Sequence, residues 1–391
     1  MYIKSVEING FLTGKNSKND TLRRFRVGGT DLGMPLYDSV NNKMYFAFGD
    51  TFSDSFGPDK PDINFKKRWR SNTLATIKLE ESYENGIKIL DFYKNSKTNI
   101  AKAIIEGHHM GDNDFVEVTK IPTGLIEVNG VYYMFHFSIR TWRPIAIMNY
   151  GGCVKSTDFG KTWKKVHELS WVDEREPKYD EQTSKLINEP LRTKPGKGKF
   201  VERKQKVNVA EHKGHYYTLN FPVDGKDGYI YLFGQCGFRT RGIRLARVLK
   251  ENIEKFEEYE YMVDTDTNNF PIWMKGPSGI KEQFNNPNSY LIPNPSGEMS
   301  VAYNNYLKKW VLFRMNDDVT QAVMHLSDNV YGPYGKAEVI IDSNDERVPN
   351  KKCYAPLTHE KLFEQDGKIM NLLLSQWLPH YNPIILRIEL K

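Results

Sequence analysis

The sequence predicts an all-β chain, a five-bladed β-propeller that occupies residues 1–391 as a single domain with long loops. Three observations carry that expectation. One strand–turn–strand unit recurs five times, its strands are short, aromatic and alternating, and helix is sparse, VLKENIEKFEEY at 248–259 being the best candidate.

The second strands of the five units are KMYFAFGDTF at 43–52, VYYMFHFSI at 131–139, HYYTLNF at 215–221, KKWVLFRM at 308–315 and KIMNLLLSQW at 368–377. Each follows a cluster of turn formers (SVNNK, EVNG, EHKG, NNYLK, EQDG), the usual punctuation of a hairpin. The first strands are TDLGMPLY, PTGLIEV, VNVAEH, EMSVAY and THEKLF, so the pairs begin near residues 31, 122, 207, 298 and 358. Recurrence of one hairpin marks a radial repeat, and five units leave roughly 80 residues per blade against ~40–45 in compact WD40 blades. The excess falls in loops at 53–68, 95–116 and 173–206. A two-sheet sandwich is the competing architecture, but it does not call for five copies of one hairpin.

A chain of 391 residues buries a large core without needing a disulfide or metal staple. Aromatics make up 13% of it, with 22 Tyr and 21 Phe, and most of these fill β-sheet interiors. The remaining ring faces suit stacking on sugars. The net charge of +6 is mild and dispersed, although TKPGKGKFVERKQK at 193–206 is a basic, turn-rich stretch. It reads as a solvated loop, with contact to an anionic polymer as the alternative. No nucleic-acid-binding signature appears, so nucleic acid is not an expected partner.

Cys153, Cys236 and Cys353 are far apart, odd in number and without CxxC spacing, which predicts buried thiols rather than a disulfide framework. No apolar run reaches transmembrane length, so no membrane insertion is expected. The N-terminus MYIKSVEING lacks the apolar core of a signal peptide. Action on an extracellular or cell-surface target, including as part of a virion, is expected without a leader in this chain. Oligomeric state is not legible.

Ser156-Thr157-Asp158-Phe159-Gly160-Lys161-Thr162-Trp163 matches S-x-D-x-G-x-T-W, the Asp-box of sialidase-like propellers. The physics is that of a hairpin turn: the Asp carboxylate caps backbone N–H groups, Gly takes a conformation closed to other residues, and Trp packs beneath. Asp158 is therefore expected to staple a turn, not to catalyse.

Chemistry is expected at Asp31 in GGTDLG and Asp50 in FGDTF. Each lies beside glycine at a strand end. The turn near Asn41-Asn42 folds their strands antiparallel, bringing both carboxyl groups to one end of one hairpin. Glycoside hydrolysis needs two such groups, one protonated and one ionised. The alternative is that both aspartates merely cap turns.

The run GGTDLGMPLYDSVNNKMYFAFGDTF followed by Trp69-Arg70-Ser71-Asn72-Thr73-Leu74-Ala75 resembles a family long known only as a domain of unknown function. Some members of that family are endo-D-arabinanases of bacterial cell-wall breakdown. IPTGLIEVNGVYYMFHFSIRTW at 121–142, KSTDFGKTW at 155–163 and SVAYNNYLKKWVLF at 300–313 extend the likeness, in the right order, over most of the chain. The resemblance implies a five-bladed propeller with a central funnel and a retaining mechanism, with Asp31 as nucleophile and Asp50 as general acid/base. It implies a polysaccharide or cell-wall glycan as partner and no cofactor.

Arg70 and Asn72 follow blade one, Arg140 and Trp142 end a hairpin of blade two, Tyr303 and Asn304 lie in blade four, and Gln376 with Trp377 closes blade five. All eight are candidate substrate-binding residues, arginine and amide groups suiting hydroxyls and Trp faces suiting sugar rings. Packing between blades is the alternative for each Trp, and an inter-blade salt bridge for each Arg. His136 reads as a buried histidine. His108-His109 with Asp112 and Asp114 matches no zinc spacing, so no metal is expected. No GxSxG elbow occurs.

Two functions follow from this reading: an endo-acting retaining glycoside hydrolase on a bacterial surface polysaccharide such as an arabinan, or a non-catalytic glycan-binding propeller such as a phage tail or baseplate protein recognising teichoic acid. A sialidase fits worst, since a single Asp-box is present and no arginine triad is apparent.

Overall fold

The computed structural model describes residues 1–54, 69–107, 109, 117–142, 146–172, 217–316, 318–349, 352–377 and 380–391. The chain opens on β1 (Ile3–Phe11) and the short helix α1 (Thr21–Phe25), then enters five sheets in succession. The first sheet is β2 (Gly29–Asp38), β3 (Lys43–Phe52), β4 (Thr73–Ile77) and β5 (Ile89–Phe92), paired in that order. The second is β6 (Thr119–Val128), β7 (Val131–Thr141), β8 (Ile147–Ser156) and β9 (Lys164–Val172). The third runs β10 (Leu219–Asp224), β11 (Tyr229–Gln235), β12 (Ile243–Leu249), β13 (Glu260–Thr265) and β14 (Pro271–Lys275), and β15 (Tyr290–Ile292) also pairs with β12. The fourth is β16 (Ser300–Asn304), β17 (Lys309–Met315), β18 (Gln321–Ser327) and β19 (Glu338–Asp342). The fifth takes β20 (Cys353–Leu357), β22 (Ile369–Gln376), β23 (Ile384–Leu390) and β1, with the two-residue β21 (Phe363–Glu364) against β22. This is a five-bladed β-propeller.

The first strand ends where the last blade needs an outer partner: Val6 faces Ile388 and Ile8 faces Leu386 in an antiparallel pair. The two ends of the chain thus complete one sheet, and closing the ring leaves only short, protected edges. Apolar alternation supplies the interior, with Phe46, Phe48, Phe135, Phe137 and Phe233 each fully buried. Trp171 on β9 packs against Phe256 and Tyr259, filling the seam between the second and third blades. Truncating it to Ala would cost about 3–5 kcal/mol.

The inner hairpins of blades one, two and four fall where the sequence places them. Asn129 (φ 53°) and Gly130 (φ 79°) form the two-residue link between β6 and β7, the positive-φ pair that a tight hairpin requires. Blade three is shifted. LNF, expected to end a second strand, instead belongs to the inner strand β10, and the turn after it is Gly225-Lys226-Asp227-Gly228. The expected first strand VNVAEH, its EHKG turn and the basic stretch 193–206 lie outside the described residues. Blade five is shifted too. Its inner strand is CYAPL rather than THEKLF, where Glu360–Leu362 makes a 3-10 turn before β21.

Residues 248–259 are not an α-helix. β12 ends at Leu249, and 3-10 turns follow at Lys250–Asn252 and Phe256–Glu258. The apolar residues Ile253, Phe256 and Tyr259, all buried, recur every three positions, which suits three residues per turn rather than 3.6. The ten-residue helix is α2 (Gly276–Asn285), with Pro in its first turn and Ile280 and Gln283 buried. Its apolar content is too thin to have marked it in the sequence.

Candidate active site

Asp31 and Asp50 stand opposite each other on β2 and β3, at the open end of the first hairpin. Thr30 pairs with Thr51 and Leu32 with Phe48, so one residue of β2, Asp31, faces two of β3, Gly49 and Asp50. That mismatch is a β-bulge, a device that re-aims side chains at the rim of a sheet. Leu32 takes φ 65°, an uncommon conformation for a branched residue. Gly49 is required for a second reason: a Cβ there would lie 2.3 Å from Asp31 Oδ1.

Both aspartates are 7% exposed. Their partners come from elsewhere in the ring. Tyr354, at the start of β20, donates to Asp31 Oδ2 at 2.8 Å. Thr119, at the start of β6, donates its hydroxyl to Asp50 Oδ1 at 2.6 Å, and Trp69 Nε1 donates to the same oxygen at 2.7 Å. Burial pushes the Asp31 carboxyl up to about 7, while the Tyr354 and Tyr381 hydroxyls oppose that rise. Burial lifts Asp50 well above the usual carboxylate range, the Thr119 hydroxyl opposes this, and the neighbouring Asp31 charge lifts it further. Near neutral pH the pair therefore tends to carry one proton and one charge.

Aromatic rings line the surroundings. Phe52 stacks on Trp69 with centroids 5.9 Å apart and meets Tyr381 edge-on at 5.8 Å. Tyr381 in turn touches Trp377, which is 46% exposed, at 5.6 Å. Beyond Tyr354 lies Arg239, clamped by Glu298.

The eight candidate binding residues divide. Gln376 ends β22 beside Cys353 and Trp377 follows it, at the same face as the aspartates, and Gln376 is fully buried with Nε2 against Cys353 Sγ at 2.8 Å. Trp142 packs edge-on against Phe137 and Phe238. Arg140, 1% exposed, donates from Nε to Asn149 Oδ1 at 2.9 Å.

Arg70 braces backbone: Nη1 donates to the Ala101 carbonyl and Nη2 to that of Arg26. Asn72 accepts from the Ile104 and Ile105 N–H groups and donates to the Lys120 carbonyl, so its amide is spent joining blades one and two. Tyr303 and Asn304 sit at the turn end of the β16–β17 hairpin, whereas the aspartates sit at the open end of theirs. Inner strands run in one direction around a propeller, so these two belong to the opposite face. There Asn304 donates to the Gly367 carbonyl, and Tyr303 meets Trp310 and Lys226.

His136 is buried and held neutral, its pKa pushed down to about 3 by burial and by Lys120 and Lys165. His109 contacts Glu106 at 2.8 Å and lies against the Trp69 ring, while His108, Asp112 and Asp114 fall outside the described residues. No cluster of three metal-ligating side chains occurs among the described residues. Cys153, Cys236 and Cys353 are buried thiols. Asp158 accepts from the Thr162 N–H at 2.9 Å and the Thr162 hydroxyl at 2.6 Å, and Trp163 Nε1 closes the turn on the Gly160 carbonyl. That turn joins β8 to β9, away from the carboxylate pair.

Tyr354, Tyr381, Thr119, Arg239 and Glu298 had no local signal in the sequence. Each is a lone polar residue in an otherwise ordinary strand or loop.

Fold and site together define a class: five-bladed propellers that carry a buried acid pair on the inner hairpin of one blade, at one face of the ring. Within it, the chain belongs to the DUF4185 family, a domain of unknown function whose model matches residues 16–387. No curated protein matches the sequence. Among solved structures the chain is similar to a provisionally named hydrolase from Bacteroides ovatus ATCC 8483, at 12% identity, over 94% of this chain and 87% of that one, with a TM-score of 0.56. Propeller glycoside hydrolases are further structural neighbours. A family 117 glycoside hydrolase from the marine bacterium Zobellia galactanivorans aligns at 12% identity over 99% of this chain and 90% of that one, TM-score 0.46. The Bacillus subtilis arabinanase Arb43A aligns at 12% identity over 92% and 96%, TM-score 0.42. At these identities the likeness speaks to fold alone.

Proposed function

We propose that this protein is an endo-acting, retaining glycoside hydrolase on a bacterial cell-surface polysaccharide such as an arabinan. The observation that supports it is the placement of Asp31 and Asp50 across one bulge, each with its pKa raised by burial and that of Asp50 raised further by the charge of Asp31. Asp31, ionised first, attacks the anomeric carbon. Asp50 keeps its proton, delivers it to the departing oxygen, and then deprotonates the water that releases the glycosyl-enzyme. The Tyr354 hydroxyl orients Asp31, while Thr119 and Trp69 hold Asp50. Trp377 and Trp142 offer ring faces to the chain of sugars, and Gln376 and Arg140 brace the rim. The retaining outcome and the arabinan rest on the sequence resemblance. A protein that binds glycan on the same face without cutting it is the competing reading.

The deciding experiment is a panel of arabinans, wall teichoic acids and capsular polysaccharides, scored by released reducing ends, with the first-formed anomer read by proton NMR. Release of internal fragments with retained configuration is expected. Binding of a polymer with no release would leave a binding module, and inverted product would exclude the covalent step.

A further inference from the structure

Arg239 lies in the loop after β11, in a blade that supplies neither aspartate, yet three features aim it at the acid pair. First, its Nε and Nη2 donate to Glu298 Oε2 and Oε1, each at 3.0 Å, a two-pronged clamp that fixes the plane of the guanidinium. Second, its carbon sits over the Phe238 ring at 4.5 Å and the Tyr354 ring at 4.6 Å. Phe238 is itself held edge-on by Trp142. Third, Tyr354 is the residue whose hydroxyl bonds Asp31, so the Tyr354 side chain links the guanidinium to the nucleophile. The arginine keeps φ 53° to reach this position.

After the clamp, Nη1 is left over. It has no hydrogen bond among the described residues, and the side chain remains 23% exposed. A donor that is rigid, pre-aimed and unspent beside two carboxyl groups is what sugar-binding sites use for a ring or hydroxyl oxygen, because its ordering cost is already met by folding. The charge on Arg239 is matched by Glu298, so the group offers little pull to an anion. The charges acting on the aspartates reinforce this: Glu298 and Glu106 are negative, and Arg239 alone opposes them among the groups that dominate.

We infer that Arg239, clamped by Glu298 and held over Tyr354, is a sugar-binding residue of the subsite at Asp31, where Nη1 donates to an oxygen of an uncharged sugar. The inference rests on the glycan-processing reading of this face and adds a residue and a substrate class to it: a neutral residue at the cleaved position, not a uronate or a phosphorylated sugar.

The test compares the wild type with Arg239→Lys and with the double variant R239M/E298Q, which removes both charges and so strands neither. Circular dichroism and melting confirm that each is folded. Two readouts are taken: retardation in gels cast with linear arabinan, polygalacturonate or glycerol-phosphate teichoic acid, and hydrolysis of the same polymers. The wild type is expected to be retarded and active only on the neutral polymer. Both variants are expected to show retardation weakened about tenfold or more and a KM raised by about the same factor, with a smaller change in kcat, the effect of one hydrogen bond from a charged donor. Folded variants that keep wild-type retardation and KM overturn the inference while leaving hydrolysis intact. So does preference for either charged polymer. Retardation that depends on Arg239 without any sugar release sustains the inference and sinks the hydrolase.

Discussion

Tyr354 and Asp31 lie 323 positions apart in the chain, yet the Tyr354 hydroxyl donates to Asp31 Oδ2 at 2.8 Å, joining the inner strand of the last blade to that of the first. The bond forms only because the ring closes. It makes the acidity of the proposed nucleophile a property of the whole propeller.

Removing that bond should therefore be read in pH rather than in binding. Tyr354→Phe deletes a donor that favours ionised Asp31, so the Asp31 carboxyl, already at about 7, should rise further. The acidic limb of kcat/KM is expected to move to higher pH, measured across pH 4–9. An unmoved limb with a lower plateau would assign Tyr354 a packing role only.

Stability should carry the same signature. Asp31 titrates at 3.8 in an unstrained chain and at about 7 when folded. Between these values the folded state binds more protons than the unfolded one, so this group's contribution is present in full at low pH and is lost as pH rises toward about 7. Asp31→Asn removes the charge and keeps an oxygen to accept from Tyr354. It is expected to melt several degrees above wild type at pH 7.5 and to lose that advantage near pH 4, by scanning calorimetry at both values.

Asp50→Asn should reveal its role through the leaving group. An acid catalyst matters most when the departing oxygen is a poor leaving group. Hydrolysis of polysaccharide is expected to fall by orders of magnitude, and that of a dinitrophenyl glycoside far less. Equal losses on both would move the acid elsewhere.

Asn72 and Asp158 predict losses of stability alone. Asn72→Ala removes a fully buried amide and leaves the part-buried Ile104 and Ile105 N–H groups and the Lys120 carbonyl without their partner. The cost should be about 3 kcal/mol or more, read by urea titration.

Asp158→Ala opens a surface turn whose carboxyl is held at about 2 by the Thr162 hydroxyl and N–H. A lower melting temperature with unchanged kcat per folded molecule is expected. A collapse of kcat at constant melting temperature would refute a purely structural turn.

Much was legible in the sequence because it is encoded locally. Alternating apolar residues and an Asn-Gly turn specify β6–β7 without reference to anything distant. The Asp31–Asp50 placement follows from counting residues either side of one turn. Blades three and five were misregistered because HYYTLNF and THEKLF each lie beside an equally good strand, and period two cannot say which neighbour pairs. The short outer helix α2 went unseen because one buried Ile and one buried Gln carry its inner face.

What the sequence determined by itself was the repeat, the hairpin and the acid pair upon it, all set by residues within a few positions of a turn. What only the tertiary structure decided was the company those acids keep. Thr119 comes from the next blade, Tyr354 from the last, and Arg239 and Glu298 from the loops between, which meet at one face because β1 pairs with β23 and the ring shuts. The raised pKa values follow from the desolvation that closure imposes, which outweighs the opposing effect of the donors it supplies. No local pattern of residues encodes them, since burial is fixed by which blades end up adjacent.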